Sequence, residues 1–340
     1  MSDTKNILIT GACGFIGHHV VDYLLRNTTH NIYIIDKLSY ASFGLDRLRE
    51  IGALDDKVKG RVHTYIYDLN SEIDCGFLKE LQEIQWIIHL AAETHVDKSI
   101  VEPRHCIMNN VKSTLNLLEC VRKLSNIEKV LYFSTDEVYG PVLKEGDLFT
   151  EYDRHNPTNP YSASKSAAEM ICLAYANTFN IPVIICNAMN VFGERQHKEK
   201  FIPKCINNIL QGDNVYIHSQ PILKQNDKME LISGSRCYIF AKNIASAVNF
   251  ILQYGAVGEK YNIQGKYELK NDDLCDMIAG WLERPVNKNY IDHDMNRPNY
   301  DIRYSIDGSK LFALGWNAEY DDIQELERVV KWTKENDKWM

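Results

Sequence analysis

The chain has 340 residues, enough for about two domains or one large domain with an appended lobe, and long enough to bury a large core without disulfide staples. A net charge of −8 argues against nucleic acid or an anionic membrane as a general partner, so an anionic ligand would need a local basic patch. Nine widely spaced cysteines without a CxxC read as free thiols of a reducing compartment; with no apolar run long enough to span a bilayer and a polar start unlike a signal peptide, a cytoplasmic location is expected.

Through the first half, short runs rich in Ile, Val and Tyr alternate with stretches of helical periodicity. Strands are expected at 7–10, 32–36, 62–66, 86–90, 130–134 and 183–186. Val20, Leu24 and Leu25 mark one intervening helix, and Val111, Leu115, Leu118 and Val121 another. Strands spaced by helices predict βαβ units and a parallel sheet covered on both faces. After about residue 190 the segments shorten, with breaks at Gly212-Asp213, Gly234-Ser235 and Arg284-Pro285. The expected organisation is a sheet domain over 1–190 that carries the catalytic residues. A smaller mixed lobe over 191–340, interleaved with it, would include a terminal helix near 322–337.

The first strand runs into Gly11, Gly14 and Gly17, and a helix follows at once. Glycines at this spacing allow a tight turn, close backbone approach to a pyrophosphate, and close packing of helix on strand. The helix N-terminus then offers free N–H groups to the phosphates. The second strand ends in Asp36, whose carboxylate suits the ribose hydroxyls of NAD and repels the 2′-phosphate of NADP, although Lys37 beside it leaves NADP open. Asp68-Leu69 after the third strand and Leu90-Ala91-Ala92 after the fourth are further cofactor positions. An acid at 68 could reach an adenine amine or cap a helix, and small residues at 91 and 92 let the backbone lie along the cofactor.

Tyr161 and Lys165 form a YxxxK. Tyr33 and Lys37 match the same pattern, but on a strand residues four apart are about 13 Å apart. Tyr161 follows Pro160 and opens a helical run, where i and i+4 share a face. A lysine ammonium near a phenol lowers the phenol pKa, so the pair could take a proton from a substrate hydroxyl. Upstream, the fifth strand ends in Ser134-Thr135-Asp136-Glu137, at the sheet edge where α/β sites lie. Thr135 can hydrogen-bond the reacting hydroxyl. Adjacent side chains diverge, so one of the two carboxyls could act as acid and the other as base. No metal site is expected: His18 and His19 are neighbours on a helix, and His89 and His95 lack ligand spacing.

The GxxGxxG turn with a later YxxxK resembles the extended short-chain dehydrogenase/reductase superfamily. STDEVYG, AAETHVDKSI, DKLSYAS and YSASK narrow this to a resemblance to the nucleotide-sugar 4,6-dehydratases acting on dTDP-glucose or UDP-glucose. That implies an α/β, Rossmann-type doubly wound fold, bound NAD regenerated in each cycle, and a homodimer paired through the helices at 104–124 and 161–179. It also implies cofactor contacts from Phe15, Ile16, Ser39 and Asn110, with Ser113 where the family has glycine. In the implied mechanism Tyr161 takes the C4 hydroxyl proton, Glu137 the C5 proton, and a protonated Asp136 serves the departing C6 hydroxyl. Related epimerases and decarboxylases share YxxxK but usually lack the Asp-Glu pair. A non-catalytic NAD-binding scaffold fits the intact set poorly.

For the substrate, the resemblance points to His95, to Asn190 at a phosphate, to Glu199 and Lys200 near sugar or base, and to Arg236 at the diphosphate. Asn262 and Arg297 match further nucleotide contacts, and Tyr300 stands where the dTDP-glucose enzymes carry histidine. The Asn296-Arg297-Pro298 form is more like that of plant-type UDP-glucose enzymes, and a long loop at about 218–235 replaces the family's short Gly-Asp-Gly loop before Arg236. The base, uracil or thymine, stays open with a lean to uracil. Rhamnose is one possible end product.

Overall fold

The computed structural model describes residues 4–142, 144, 146–223, 229–292 and 303–340. Seven parallel strands form the main sheet: β1 (Asn6–Thr10), β2 (Asn31–Asp36), β3 (Val62–Ile66), β4 (Trp86–His89), β5 (Lys129–Thr135), β6 (Val183–Ala188) and, much later, β11 (Lys260–Ile263). Their order is β11-β6-β5-β4-β1-β2-β3. β1 through β6 match the six expected strands to within two residues at either end. The strand order reverses between β1 and β4, and that point opens a crevice at the C-terminal strand ends.

Both faces of the sheet are covered, which is why its strands are apolar along their length. On one face α1 (Phe15–Asn27) and α8 (Ala241–Tyr254) bury Val20, Val21, Leu24, Ile244, Val248 and Ile251 against Ile7, Ile9, Ile32 and Ile34. On the other, α5 (Pro103–Val121) and α6 (Pro160–Phe179) bury Leu117, Leu118, Ala168 and Cys172 against Leu8, Ile87 and Ile185. Shorter helices α2 (Asp46–Glu50), α3 (Cys75–Glu80) and α4 (Val96–Val101) complete the sheet domain. No helix among the described residues is long and apolar enough to cross a membrane.

The smaller lobe is built on two three-stranded sheets. One pairs β7 (Asn190–Phe192), β10 (Ser235–Phe240) and β12 (Tyr267–Lys270); the other pairs β8 (Asn214–Leu223), β9 (Met229–Ser233) and β13 (Asn287–Asp292). α7 (Phe201–Gln211), α9 (Asn271–Leu282) and α11 (Asp322–Glu335) pack a second core of Ile206, Ile209, Leu274, Ile278, Val329 and Val330. α10 (Ser309–Leu314) returns to the main sheet domain, where Leu311 joins the first core.

The long loop expected at 218–235 instead carries the antiparallel pair of β8 and β9, with Ser219 opposite Ser233 and Pro221 opposite Leu231. Its entry already alternates in the way a half-buried strand does, Val215 and Ile217 buried with Tyr216 exposed between them. All nine cysteines are free, and only Cys75 is exposed.

Candidate active site

A cleft of about 620 Å³ lies between the C-terminal strand ends and the smaller lobe. Its cofactor-side floor is the turn after β1. Gly11 has φ +73°, and a Cβ on Gly17 would stand 2.2 Å from the Gly11 carbonyl oxygen and 2.6 Å from Ala12 Cα. Only glycine lets α1 approach β1 this closely. Asp36 at the end of β2 is buried, and its carboxylate accepts from the backbone N–H of Cys13 at 2.9 Å and of Leu38 at 2.8 Å. The acid thereby ties the glycine turn to the loop after β2.

Gly11, Gly14, Phe15, Ile16, Gly17, Asp36, Lys37, Ser39, Asp68, Leu69, Leu90, Ala91 and Ala92 all line the cleft. Lys37 is engaged by Glu93 at 3.2 Å and Asn109 Oδ1 at 2.7 Å. Asn110 is placed elsewhere than expected. It is buried behind the wall, where its amide donates 3.0 Å to the Glu93 carbonyl and 2.8 Å to Ser164 Oγ, so it braces the loop after β4 against α6. Its neighbours Asn109 and Ser113 line the cleft instead, because α5 turns 100° per residue and presents a different face there.

The catalytic candidates converge from two elements. Asn159 caps α6 and Pro160 occupies its first turn, a strong start signal that fixes Tyr161 and Lys165 on the cleft face. Lys165 is buried; its Nζ donates 2.7 Å to the Phe133 carbonyl and sits 4.4 Å over the Tyr132 ring. Burial pulls Lys165 down to about 8. Tyr161 departs from the expectation of a lowered phenol: burial pushes its pKa up, with Glu137 and then Asp136 adding to the effect and the Thr135 hydroxyl opposing it.

Past Thr135 the chain enters a 3-10 turn over Asp136–Tyr139, and this separates the two acids. Glu137 opens into the cleft, where Asn159 Nδ2 donates 3.1 Å to its Oε2. Asp136 does not line the cleft. It is 2 % exposed, its Oδ1 accepts from Thr135 Oγ1 at 3.1 Å, and its Oδ2 has no hydrogen-bond partner among the described residues. Burial first, and then Glu137, push Asp136 up to about 7.

On the lobe side, His95, Asn190, Glu199, Lys200 and Arg236 line the cleft. Glu199 accepts from the Tyr40 hydroxyl at 3.3 Å, and Lys200 Nζ donates 2.8 Å to the Thr94 carbonyl, so both reach across to the sheet domain. Arg236 on β10 is buried, with its guanidinium 4.7 Å from the Tyr304 ring. Asn262 is placed away from the cleft. It is fully buried on β11 and bonds Glu151, Phe149, Asp307 and the Tyr139 hydroxyl, stitching the sheet to the surrounding loops. Arg297 and Tyr300 lie outside the described residues. Asn159, Gln196, His197 and Tyr304 line the cleft without having been singled out from sequence. Of these, only Asn159, an Asn before Pro at a helix start, carried a local signal.

A doubly wound sheet with a glycine turn, an acid at the second strand end and a Tyr/Lys helix has the architecture of dinucleotide-binding oxidoreductase folds. The chain belongs to the NAD dependent epimerase/dehydratase family, whose model matches residues 7–263. It is 36% identical to a dTDP-glucose 4,6-dehydratase of Haemophilus influenzae, over 96% of this chain and 97% of the relative. It is 33% identical to a trifunctional UDP-glucose 4,6-dehydratase/UDP-4-keto-6-deoxy-D-glucose 3,5-epimerase/UDP-4-keto-L-rhamnose-reductase of Arabidopsis thaliana, and spans 49% of that longer protein's length. Among solved structures, DesIV, a dTDP-glucose 4,6-dehydratase from Streptomyces venezuelae solved with NAD bound, superposes with a TM-score of 0.84 at 31% identity, covering 98% of each chain.

Proposed function

We propose that this protein is an NAD-dependent hydro-lyase that converts a pyrimidine nucleoside-diphosphate-glucose, UDP-glucose or dTDP-glucose, to its 4-keto-6-deoxy sugar. The observation that carries this is the separated pair at the end of β5. Glu137 is open to the cleft as a base, and Asp136 is buried with its pKa near 7, suited to hold a proton.

The residues at the glycine turn fit the cofactor. A Cβ on Gly17 would fill the space between α1 and β1, and Asp36, which lines the cleft at the end of β2, would accept from the ribose hydroxyls. The first turn of α1 would offer its backbone N–H groups to the pyrophosphate of bound NAD. Lys37, held by Glu93 and Asn109, is not free to reward a 2′-phosphate, which favours NAD over NADP. NAD, when bound, would accept hydride from C4 of the sugar and return it to C6.

Tyr161 would take the C4 hydroxyl proton as its phenolate, which the Lys165 ammonium, the Thr135 hydroxyl and the positive nicotinamide ring of bound NAD would stabilise against burial. The resulting ketone acidifies C5–H, and Glu137, aimed by Asn159, would remove that proton. Asp136 would supply a proton to the C6 hydroxyl as water leaves, relayed by Thr135 or after a rotation of its own side chain into the cleft. Glu137 would then return a proton to C5. Asn190, Lys200 and Arg236 supply the local basic and polar patch that a diphosphate needs on a chain of net charge −8. The free, mostly buried thiols support a cytoplasmic setting. Exposed Met108 and Leu115 on α5 and Met170 and Phe179 on α6 support a homodimer through these helices.

The test is incubation of the purified protein, without added cofactor, with UDP-glucose and dTDP-glucose separately. The readouts are alkaline ultraviolet absorbance of the 4-keto product and mass spectrometry for loss of water. Product without net NADH is the expected outcome, and the ratio of the two kcat/KM values assigns the base. No loss of water from either sugar with NAD supplied overturns the reading. Inversion at C4 without loss of water would replace it with epimerisation.

A further inference from the structure

On α6, one turn beyond Lys165 and on the same helical face, stands Glu169. The mechanism above does not use it, yet its side chain is completely buried. Burying a carboxylate is costly unless it is paired and hydrogen-bonded, so its surroundings matter. They come from four directions. Ser134 of β5 donates its hydroxyl to Oε1. Asn187 of β6 donates its amide to the same oxygen at 2.8 Å. Oε2 lies 2.9 Å from Lys260 Nζ on β11 and 3.4 Å from His155 Nε2, in the segment before α6.

These partners lead back to the catalytic residues. Ser134 lies between Thr135 and Phe133, whose carbonyl holds Lys165. Asn187 donates to the Thr135 carbonyl as well, at 3.2 Å. One carboxylate therefore binds together the strand end that presents Thr135 and the helix that presents Tyr161 and Lys165.

We propose that Glu169 is a positioning residue: one helical turn from Lys165 within the same buried layer, it supports the Lys165 ammonium, and through Ser134 and Asn187 it fixes the end of β5 beneath Tyr161. This rests on the reading of Tyr161 and Lys165 as the proton-transfer pair.

The charges around it support this. The other titratable groups facing Lys165 are His89 of β4, Tyr132 of β5, Tyr161, Cys106 of α5, Cys172 of α6 and Cys186 of β6. Burial is the first cause of the shift at every one of them, lowering His89 and raising the phenols and thiols, so each is held uncharged. Glu169 also faces Tyr139 and His155, which burial likewise keeps neutral. Among the described residues, the ion pair of Glu169 is with Lys260, whose Nζ also lies 2.9 Å from His155 Nε2, while Lys165 is the buried lysine one turn away on the same helix. For Lys165, Glu169 is first among the groups that oppose burial.

The experiment is the pH dependence of kcat/KM for the wild type, Glu169→Gln and Lys260→Met, with NAD content and thermal midpoint measured on each. Loss of the Glu169 charge removes the support for the Lys165 ammonium, so the limb on which activity falls with rising pH should move to lower pH, by about one unit. Loss of the Lys260 charge leaves Lys165 as the main cation facing Glu169, so the same limb should move to higher pH. A purely structural role would lower activity by the same factor at every pH. Opposite shifts in the two variants support the proposal. Limbs that stay in place, or that move the same way in both, overturn it, as does a wild type with no such limb over its folded range. Should Glu169→Gln fail to fold, the sign of the Lys260→Met shift decides. A wild type that dehydrates neither sugar instead removes the functional reading on which this stands.

Discussion

At the residue scale, the site depends on giving two neighbouring carboxyls different surroundings. Asp136 is buried against Thr135, while Glu137 opens to the cleft under Asn159. Asp136→Asn should therefore stall the reaction after oxidation, because the C6 hydroxyl then leaves without its acid. Reduced nicotinamide should accumulate in single-turnover absorbance, with little free product. Stability should respond as well. The folded pKa of Asp136 is raised, from 3.8 to about 7, so the folded state holds this proton more tightly than the unfolded chain. The stabilisation is fully present below the unfolded value and is lost as pH rises through about 7. Melting curves across that window should show the wild type losing stability relative to Asp136→Asn as pH rises. Tyr161→Phe removes the proposed proton acceptor while keeping the ring, and should lower kcat by about 10²–10⁴-fold with KM little changed in steady-state kinetics.

At the element scale, two junctions position the chemistry. The first is the contact of α1 with β1 across Gly17. Gly17→Ala places a Cβ against the Gly11 carbonyl and Ala12, so the helix must shift. A cost of about 1–3 kcal/mol is expected in urea unfolding, together with loss of copurified NAD. The second is the N-terminus of α6. Asn159 caps it by accepting from Ser162 N at 2.9 Å, while its amide donates to Glu137. Asn159→Asp keeps a capping oxygen but turns the amide into a second acid beside Glu137. Its stability should remain near wild type while kcat falls. Asn159→Ala should lose about 0.5–2 kcal/mol of stability as well.

At the scale of the whole molecule, the two regions are interlocked. β11 pairs with β6 in the main sheet, although the chain on both sides of it contributes to the smaller lobe. α8 packs on the same core as α1. Removing residues after 190 would strip the sheet of an edge strand and one of its covering helices. Calorimetry should accordingly show one cooperative transition for the full chain, with calorimetric and van't Hoff enthalpies in agreement, and no folded product from a 1–190 fragment. The dimer proposed through α5 and α6 predicts twice the chain mass in sedimentation, reduced to the monomer by Met170→Glu.

The sequence by itself determined the parallel sheet, the glycine turn, Asp36, the Tyr161/Lys165 helix and the Thr135-Asp136-Glu137 strand end. Each is a local signal: a two- or 3.6-residue period, a turn that only glycine permits, or a motif within a few positions of a predicted strand or helix end. It did not determine which of two adjacent asparagines meets the cleft, since a helix presents different faces one residue apart. Nor did it show that Asn262 is a core stitch, or that 218–235 carries an antiparallel strand pair. The burial of Asp136, the upward shift of Tyr161 and the surroundings of Glu169 were decided by tertiary structure alone. Desolvation and charge–charge contact depend on groups brought together from β5, β6, β11 and α6, and no pattern along one segment records that encounter.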